Sequence, residues 1–268
     1  MLITPLNQGF GAEVTDFDLD HASAPGDIAR LQAAYLQHNL LIFRGAAPVA
    51  PARQVEIAGW FGPILAEGTQ WTVLDNAEPT GREKLPFHSD ITFLEFPLLG
   101  ISLCPQELPA GDTSTTYISN AVAWAALPEN LQAELQHRRA RHFYDSSREM
   151  GFDWPVFEYW HPACMPHPVT GRPLLFVTEH HVDRIEAMDG ARCETVLAQL
   201  FAALYAPARQ YEHVWRKGDL VIWDNLAVQH ARTSVAEPSA GRRVMRRVQL
   251  GKMGFLAQAE RVRQAQLA

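Results

Sequence analysis

No stretch of this sequence approaches the roughly 18 consecutive apolar residues that a membrane-spanning helix needs. The opening MLITPLNQGF has neither the basic start nor the apolar run of a secretory leader. A cytoplasmic location with no membrane partner is therefore expected. Cysteine is scarce: Cys104, Cys164 and Cys193 are odd in number and widely spaced, which excludes a disulfide framework and a CxxC metal site. Positive charge is also short, with 23 Lys and Arg against 30 Asp and Glu. The resulting net charge of −7 would repel a phosphate backbone, so no nucleic-acid partner is expected and a small-molecule substrate is the better reading. Internal repeats, low-complexity tracts and Gly/Ser linkers are missing too, which leaves one domain spanning residues 1–268. The scattered apolar residues define no dimer face, and a homo-oligomer is left open.

With 47% hydrophobic residues, the chain can bury one large core. Residues 27–38 read as an amphipathic helix, because Ile28, Leu31, Ala34 and Tyr35 recur at steps of three and four. A second helix is expected from Pro51, suited to a first turn, to Phe61 before Gly62. Further helices are expected at 121–137 and 193–205. Strand-like runs occupy 40–43, 98–103, 113–118, 141–144, 173–178, 219–223 and 243–250. Many short strands with a few long helices predict a mainly β fold, a sandwich or jelly roll with flanking helices.

In Pro86-Phe87-His88-Ser89-Asp90, an imidazole and a carboxylate stand two residues apart, so an extended chain projects both to one side. Two neutral imidazoles and one carboxylate on one face are the ligand set of non-haem iron(II) oxygenases, so a distal histidine is required. His230 is the best candidate; it follows the strand 219–223 at the end of a turn-like run, Asp224 to Gln229. An HxD triplet by itself is weak, expected by chance roughly once in two such chains. A second one, His181-Val182-Asp183, could also pair with His230. His88 and Asp90 are preferred, because Asp183 runs into helix-like sequence (RIEAM) whereas they sit in a Pro-flanked loop before several core strands.

Beyond His230 lies Gly241-Arg242-Arg243-Val244-Met245-Arg246-Arg247-Val248. In a strand, Arg243, Met245 and Arg247 share one face and Val244, Arg246 and Val248 the other. At least one arginine must then face packed protein, where a guanidinium is costly without an anion beside it. Two inward arginines suggest two anionic guests: the far carboxylate of a metal-chelating keto acid, and an acidic group of the substrate.

These features resemble the taurine dioxygenase and 2,4-dichlorophenoxyacetate dioxygenase family of 2-oxoglutarate-dependent oxygenases. The specific points are HSDITF from His88, ELPAGDT from Glu107, HPVTGRPLLFV from His167, WDN from Trp223, and QH followed by RRVMRR from Arg242. The resemblance runs from Gly11 to about residue 251 and favours His88 and Asp90 over the second triplet. It implies a double-stranded β-helix (jelly roll, clavaminate synthase-like) and the cofactors Fe(II), 2-oxoglutarate and O2. The implied reaction is hydroxylation of a small substrate carrying a carboxylate or sulfonate-like anion, with or without fragmentation, releasing succinate and CO2. By the same resemblance His88, Asp90 and His230 bind the metal, Thr113 and Arg243 hold 2-oxoglutarate, Arg247 anchors the substrate anion, and Trp223 packs near the metal. Where the taurine enzyme has a histidine in its lid segment, this chain reads Gly68-Thr69-Gln70-Trp71, with no ionisable group. A more apolar substrate body is implied, bordered by Trp71 and by Phe87 as an apolar wall. The chain also carries two more residues than the taurine enzyme between His230 and Arg243, around Glu237-Pro238-Ser239.

Two other classes compete. A metal-dependent hydrolase or isomerase on a cupin-like barrel would have no use for Arg243 and Thr113. A non-catalytic binding protein would tolerate loss of His88 or Asp90. Glu179-His180-His181 could touch substrate over the site or serve a structural role, and both readings stay open.

Overall fold

The computed structural model describes residues 1–78, 84–111, 113–145, 154–233 and 241–267. Two sheets carry the architecture. The larger has the order β1 (Leu2–Pro5), β2 (Ala12–Thr15), β3 (Leu40–Arg44), β14 (Asp219–Asp224), β6 (Gly100–Glu107), β16 (Val244–Leu250), β4 (Thr72–Asp75). The smaller has the order β13 (Tyr211–Val214), β7 (Ser114–Ser119), β15 (Val228–Arg232), β5 (Leu85–His88). All their pairings are antiparallel except β2 with β3. Beside them lie the order β12 (Val182–Ile185), β8 (Arg139–Tyr144), β9 (Phe157–Pro162), and the pair β10 (Cys164–Pro166) and β11 (Pro173–Leu175).

Alternation along the strands sorts side chains into layers. Leu40 and Ile42 of β3, Val221 and Trp223 of β14, and Tyr117 of β7 share the core between the two sheets. Leu41 and Phe43 turn to the other side, where they pack with Leu220 and Ile222 against Leu31 of helix α1 (Pro25–His38) and Ile57 of helix α2 (Pro51–Gly59). A strand covered on both faces reads as an unbroken apolar run, and LLIFR does. Behind the smaller sheet, Ile118 packs with Trp124 of α3 (Asn120–Ala125), Leu131 and Leu135 of α4 (Glu129–Leu135), and Val196 and Leu200 of α5 (Gly190–Leu204). Helix α6 (Phe255–Leu267) follows β16. The architecture is a jelly roll, mainly β with flanking helices, as expected.

Several boundaries differ from expectation for physical reasons. The helix expected over 121–137 is two, because Pro128 has no N–H to continue the first and instead stands at the N-cap of the second. The run 173–178 is a strand only as far as Leu175. Of the segment after Asp183, read as helical, Arg184 and Ile185 belong to strand β12 and Glu186 and Ala187 form a turn, so no helix starts there to set the second triplet aside. The turn around residues 237–239 and Asp112 of ELPAGDT lie outside the described residues.

A buried pair of histidines beside the main core makes the fold acid-sensitive. His161 Nε2 donates to the Leu94 carbonyl at 3.0 Å, and its ring centre lies 5.2 Å from that of His142, which is fully buried. Burial pushes His161 down to about 4 and His142 well below its ordinary value. The unfolded chain takes up the His161 proton near 6.5 and the folded one only near 4, so its contribution is complete above 6.5 and is lost as pH falls towards 4; His142 acts in the same direction. Between about pH 7.5 and pH 5, His161 alone should remove roughly 2 kcal/mol. Urea midpoints at the two pH values should show the drop, and His161→Gln should shrink it; an undiminished drop in that variant would assign the acid sensitivity elsewhere.

Candidate metal centre

The expected ligands come together because β5 and β15 pair with His88 opposite His230. Their ring centres are 4.3 Å apart, and both Nε2 atoms face the carboxylate of Asp90, just beyond the end of β5. Asp90 Oδ1 lies 3.2 Å from His88 Nε2 and 3.6 Å from His230 Nε2. One donor atom from each residue falls within a 4.8 Å span, and among the described residues no fourth His, Cys, Asp or Glu joins them. His230 sits inside strand β15, not in the turn expected for it; the turn precedes it. The ligand face is thus set by ladder register, a stiffer support than a loop.

Asp90 is held by its backbone. Asn225 Oδ1 accepts from the Asp90 N–H at 2.9 Å, while its Nδ2 donates to the carbonyls of Asp90 at 3.1 Å and Leu98 at 3.0 Å. The next residue, Ile91, is in the left-handed region at φ 63°, an unfavourable conformation for a β-branched side chain that surrounding contacts must enforce. Asp224 holds the turn itself, accepting from the backbones of Leu226 and Ala227 and from His167 Nε2 at 2.7 Å. These two residues of WDN carried no role in the sequence, since Asp90, Leu98 and His167, which they clamp, lie far away along the chain. Asn225→Ala should leave three buried backbone groups without partners and cost about 2–4 kcal/mol. It should also weaken metal binding roughly 10- to 100-fold through misplacement of Asp90. Thermal denaturation and metal titration measure both, and an unchanged metal affinity would remove Asn225 from the support of the site.

The electrostatics favour a cation at the convergence point. His88 Nδ1 donates to the Pro86 carbonyl at 2.8 Å, which leaves Nε2 as the nitrogen presented to a metal. Burial opposes charge on His88, but the hydrogen bond and charge of Asp90 outweigh it and raise its pKa. Burial likewise opposes the Asp90 carboxylate, and His88, His230 and Arg247 together hold it well below the usual carboxylate range. His230, pushed down to about 3 by burial and then by the charge of His88, is neutral. A bare Nε2 lone pair would not approach a carboxylate oxygen at 3.2 Å without a positive charge between them. A proton can supply that charge, and a divalent cation can replace it. Two imidazole nitrogens and one carboxylate oxygen, buried and converging, fit a first-row divalent metal such as iron(II).

On β16 the parity argument holds. Arg243 is buried just before the strand, and its Nε donates to Thr113 Oγ at 3.1 Å. Arg247, two positions beyond buried Met245, points Nη1 at Asp90 Oδ2 at 3.4 Å and Nε at Thr72 Oγ at 3.3 Å. Arg246 faces the other way, where Nε donates to Gln54 Oε1 at 2.7 Å and another nitrogen to the Val49 carbonyl. Arg247 therefore stands beside the triad, Arg243 lies with Thr113 on the same side of the strand, and Arg246 serves packing on the other. Trp223 lies against His230 with ring centres 4.9 Å apart.

Other expected residues are placed differently. Phe87 stacks on Tyr205 at 5.0 Å within the core behind the smaller sheet, on the opposite side of β5 from His88, so it does not wall the site. Trp71 is 38% exposed and directly precedes Thr72, the ladder partner of Arg247, at the rim. The second triplet does not converge: Asp183 is exposed and forms a two-point pair with Arg141. His180 and His181 lie beside the triad, with ring centres 5.9 and 6.4 Å from that of His88.

A jelly roll that brings two histidines and a carboxylate to one point defines a class of proteins able to hold a single metal ion between its sheets. More narrowly, the chain belongs to the taurine catabolism dioxygenase TauD, TfdA family, whose model matches residues 2–249. It is 28% identical over 262 residues to the (S)-phenoxypropionate/alpha-ketoglutarate-dioxygenase of Sphingobium herbicidovorans, covering 86% of this chain and 88% of that one. Identity is also 28%, over 264 residues, to the alpha-ketoglutarate-dependent 2,4-dichlorophenoxyacetate dioxygenase of Cupriavidus pinatubonensis, covering 86% of this chain and 91% of that one. Among solved structures, a taurine dioxygenase from Burkholderia xenovorans superposes with a TM-score of 0.81 at 23% identity, covering 94% of this chain and 91% of that one. No helix among the described residues is long and apolar enough to cross a membrane.

Proposed function

We propose that this dioxygenase uses iron(II), 2-oxoglutarate and O2 to hydroxylate a small organic anion, releasing succinate and CO2. The observation that carries the reading is the pairing of a convergent His88, Asp90 and His230 with two guanidiniums from the other sheet, Arg247 on β16 and Arg243 just before it. A hydrolase or isomerase on the same barrel would need the metal but not both cations. Iron(II), held by the triad, would supply the activation of O2, which is the oxidant of the reaction. The side chains supply position. Arg243 and Thr113 hold the far carboxylate of 2-oxoglutarate so that its keto-acid end reaches the triad. Arg243 Nε is already committed to Thr113 Oγ, which leaves its terminal nitrogens and the threonine hydrogen for the carboxylate. Arg247 takes the substrate anion at the rim, near Trp71, and so decides which C–H bond is brought to the centre. The two named relatives support an aryloxy acid as one substrate type, through the carboxylate that such acids offer to Arg247.

Anaerobic titration of iron(II)-loaded protein with 2-oxoglutarate tests this directly. A weak visible charge-transfer band should appear in wild type, and a screen of carboxylates, sulfonates and sulfate esters scored by succinate release should follow it. Iron-loaded, folded protein that develops no band would sink the oxygenase reading and turn attention to metal-dependent hydrolysis or isomerisation.

A further inference from the structure

Along β7, alternation puts Thr113, Thr115 and Tyr117 on one side, facing the space between the sheets. The first two hydroxyls have partners: Arg243 Nε donates to Thr113, and Trp215 Nε1 donates to Thr115 at 2.9 Å. Tyr117 differs. It is fully buried, stands opposite His230 in the ladder, and packs at 5.3 Å against Trp223, which itself lies against His230. Its hydroxyl is buried with no partner in hydrogen-bonding geometry among the described residues; Thr115, whose Oγ already accepts from Trp215, acts on it more weakly than Arg243 does. The Nε1 of Trp223 and the Nδ1 of His230 are likewise buried without partners among the described residues. Phenylalanine would fill the same volume without stranding an oxygen, so the hydroxyl is a burden on the fold alone.

We propose that the Tyr117 hydroxyl donates to the far carboxylate of 2-oxoglutarate, as a third donor beside Thr113 and Arg243. The inference rests on the cosubstrate reading above and adds a residue to it. A carboxylate accepts about four hydrogen bonds, and the fork of one arginine directs two N–H groups at it and one threonine a third, which leaves room for another donor. A neutral donor suits the place, since burial and the nearby charge of Arg232 already push Arg243 down to about 10. Burial holds the Tyr117 phenol well above its ordinary value, so it keeps its proton even though the Arg243 charge acts on it.

Tyr117→Phe separates this role from a structural one. Protein loaded with iron(II) under argon would be titrated calorimetrically with 2-oxoglutarate and with pyruvate, which lacks the far carboxylate. Melting temperatures would be taken without and with 2-oxoglutarate. Expected are an unchanged or higher melting temperature without ligand, a 2-oxoglutarate Kd weaker by roughly ten- to a hundredfold, and an unchanged pyruvate Kd. A 2-oxoglutarate Kd within twofold of wild type would overturn the role of Tyr117 alone. So would a lower melting temperature in the ligand-free variant, or an equal loss of pyruvate binding. If wild type failed to bind 2-oxoglutarate at all, the cosubstrate reading would fall first and this inference with it.

Discussion

Asp90→Ala is expected to strip the protein of its metal while leaving it folded. Among the described residues Asp90 is the only anion between the two imidazoles, and Arg247 stands 3.4 Å from its other oxygen. Without the carboxylate, a divalent cation would enter a buried space that already faces a guanidinium, with no negative charge to offset either. Removing a residue that merely orients a ligand costs 10- to 100-fold in metal affinity, so losing the anionic ligand should cost more than about a hundredfold. Stability should change far less, because the Asp90 backbone clamp to Asn225 does not involve the side chain and because the carboxylate is itself opposed by burial. Metal content after iron(II) loading and desalting, read beside the circular dichroism spectrum, gives the answer. Stoichiometric metal in the variant would show that the triad is not the binding site.

Arg243→Met should separate cosubstrate binding from stability in the same way. The guanidinium is buried, pushed down to about 10 by burial and by Arg232, and its one described hydrogen-bond partner is the neutral hydroxyl of Thr113. A buried cation with no protein carboxylate beside it costs stability until an anion arrives. Methionine fills a similar space without that cost, so the melting temperature without ligand should hold or rise. A buried charge-assisted pair broken on one side costs about 3–5 kcal/mol, which corresponds to a rise in the 2-oxoglutarate Kd of roughly a hundredfold to several thousandfold. Calorimetric titration of the iron(II) protein measures it. A Kd within threefold of wild type would remove Arg243 from the cosubstrate site and leave its burial without an explanation.

The readable part of the site is the part governed by local geometry. His88 and Asp90 two residues apart, and Arg243 and Arg247 four apart on one strand face, follow from the two-residue period of extended chain. The same period excludes Phe87 from the site, since a residue next to an inward histidine must turn outward; the signal was present and was overridden by the family pattern. Other errors came from propensity. RIEAM after Asp183 has helical character, yet pairing with β8 holds Arg184 and Ile185 extended and a turn follows at Glu186 and Ala187, while a two-point ion pair with Arg141 occupies the Asp183 carboxylate that could have competed for the metal.

The sequence by itself determined which chemistry was available, because that depends on residue type and near-neighbour spacing: an imidazole and carboxylate on one side of a strand, two guanidiniums on one face, and a distal histidine. Only the tertiary structure decided where these meet. The ladder between β5 and β15 sets His230 opposite His88, and Asn225 reaches back to fix the backbone of Asp90. The core between the sheets then closes over Tyr117, Trp223 and Arg243. Those contacts join segments far apart along the chain, and their free energy comes from the burial of the whole core, so no local pattern could have revealed which polar atoms it would leave facing a ligand.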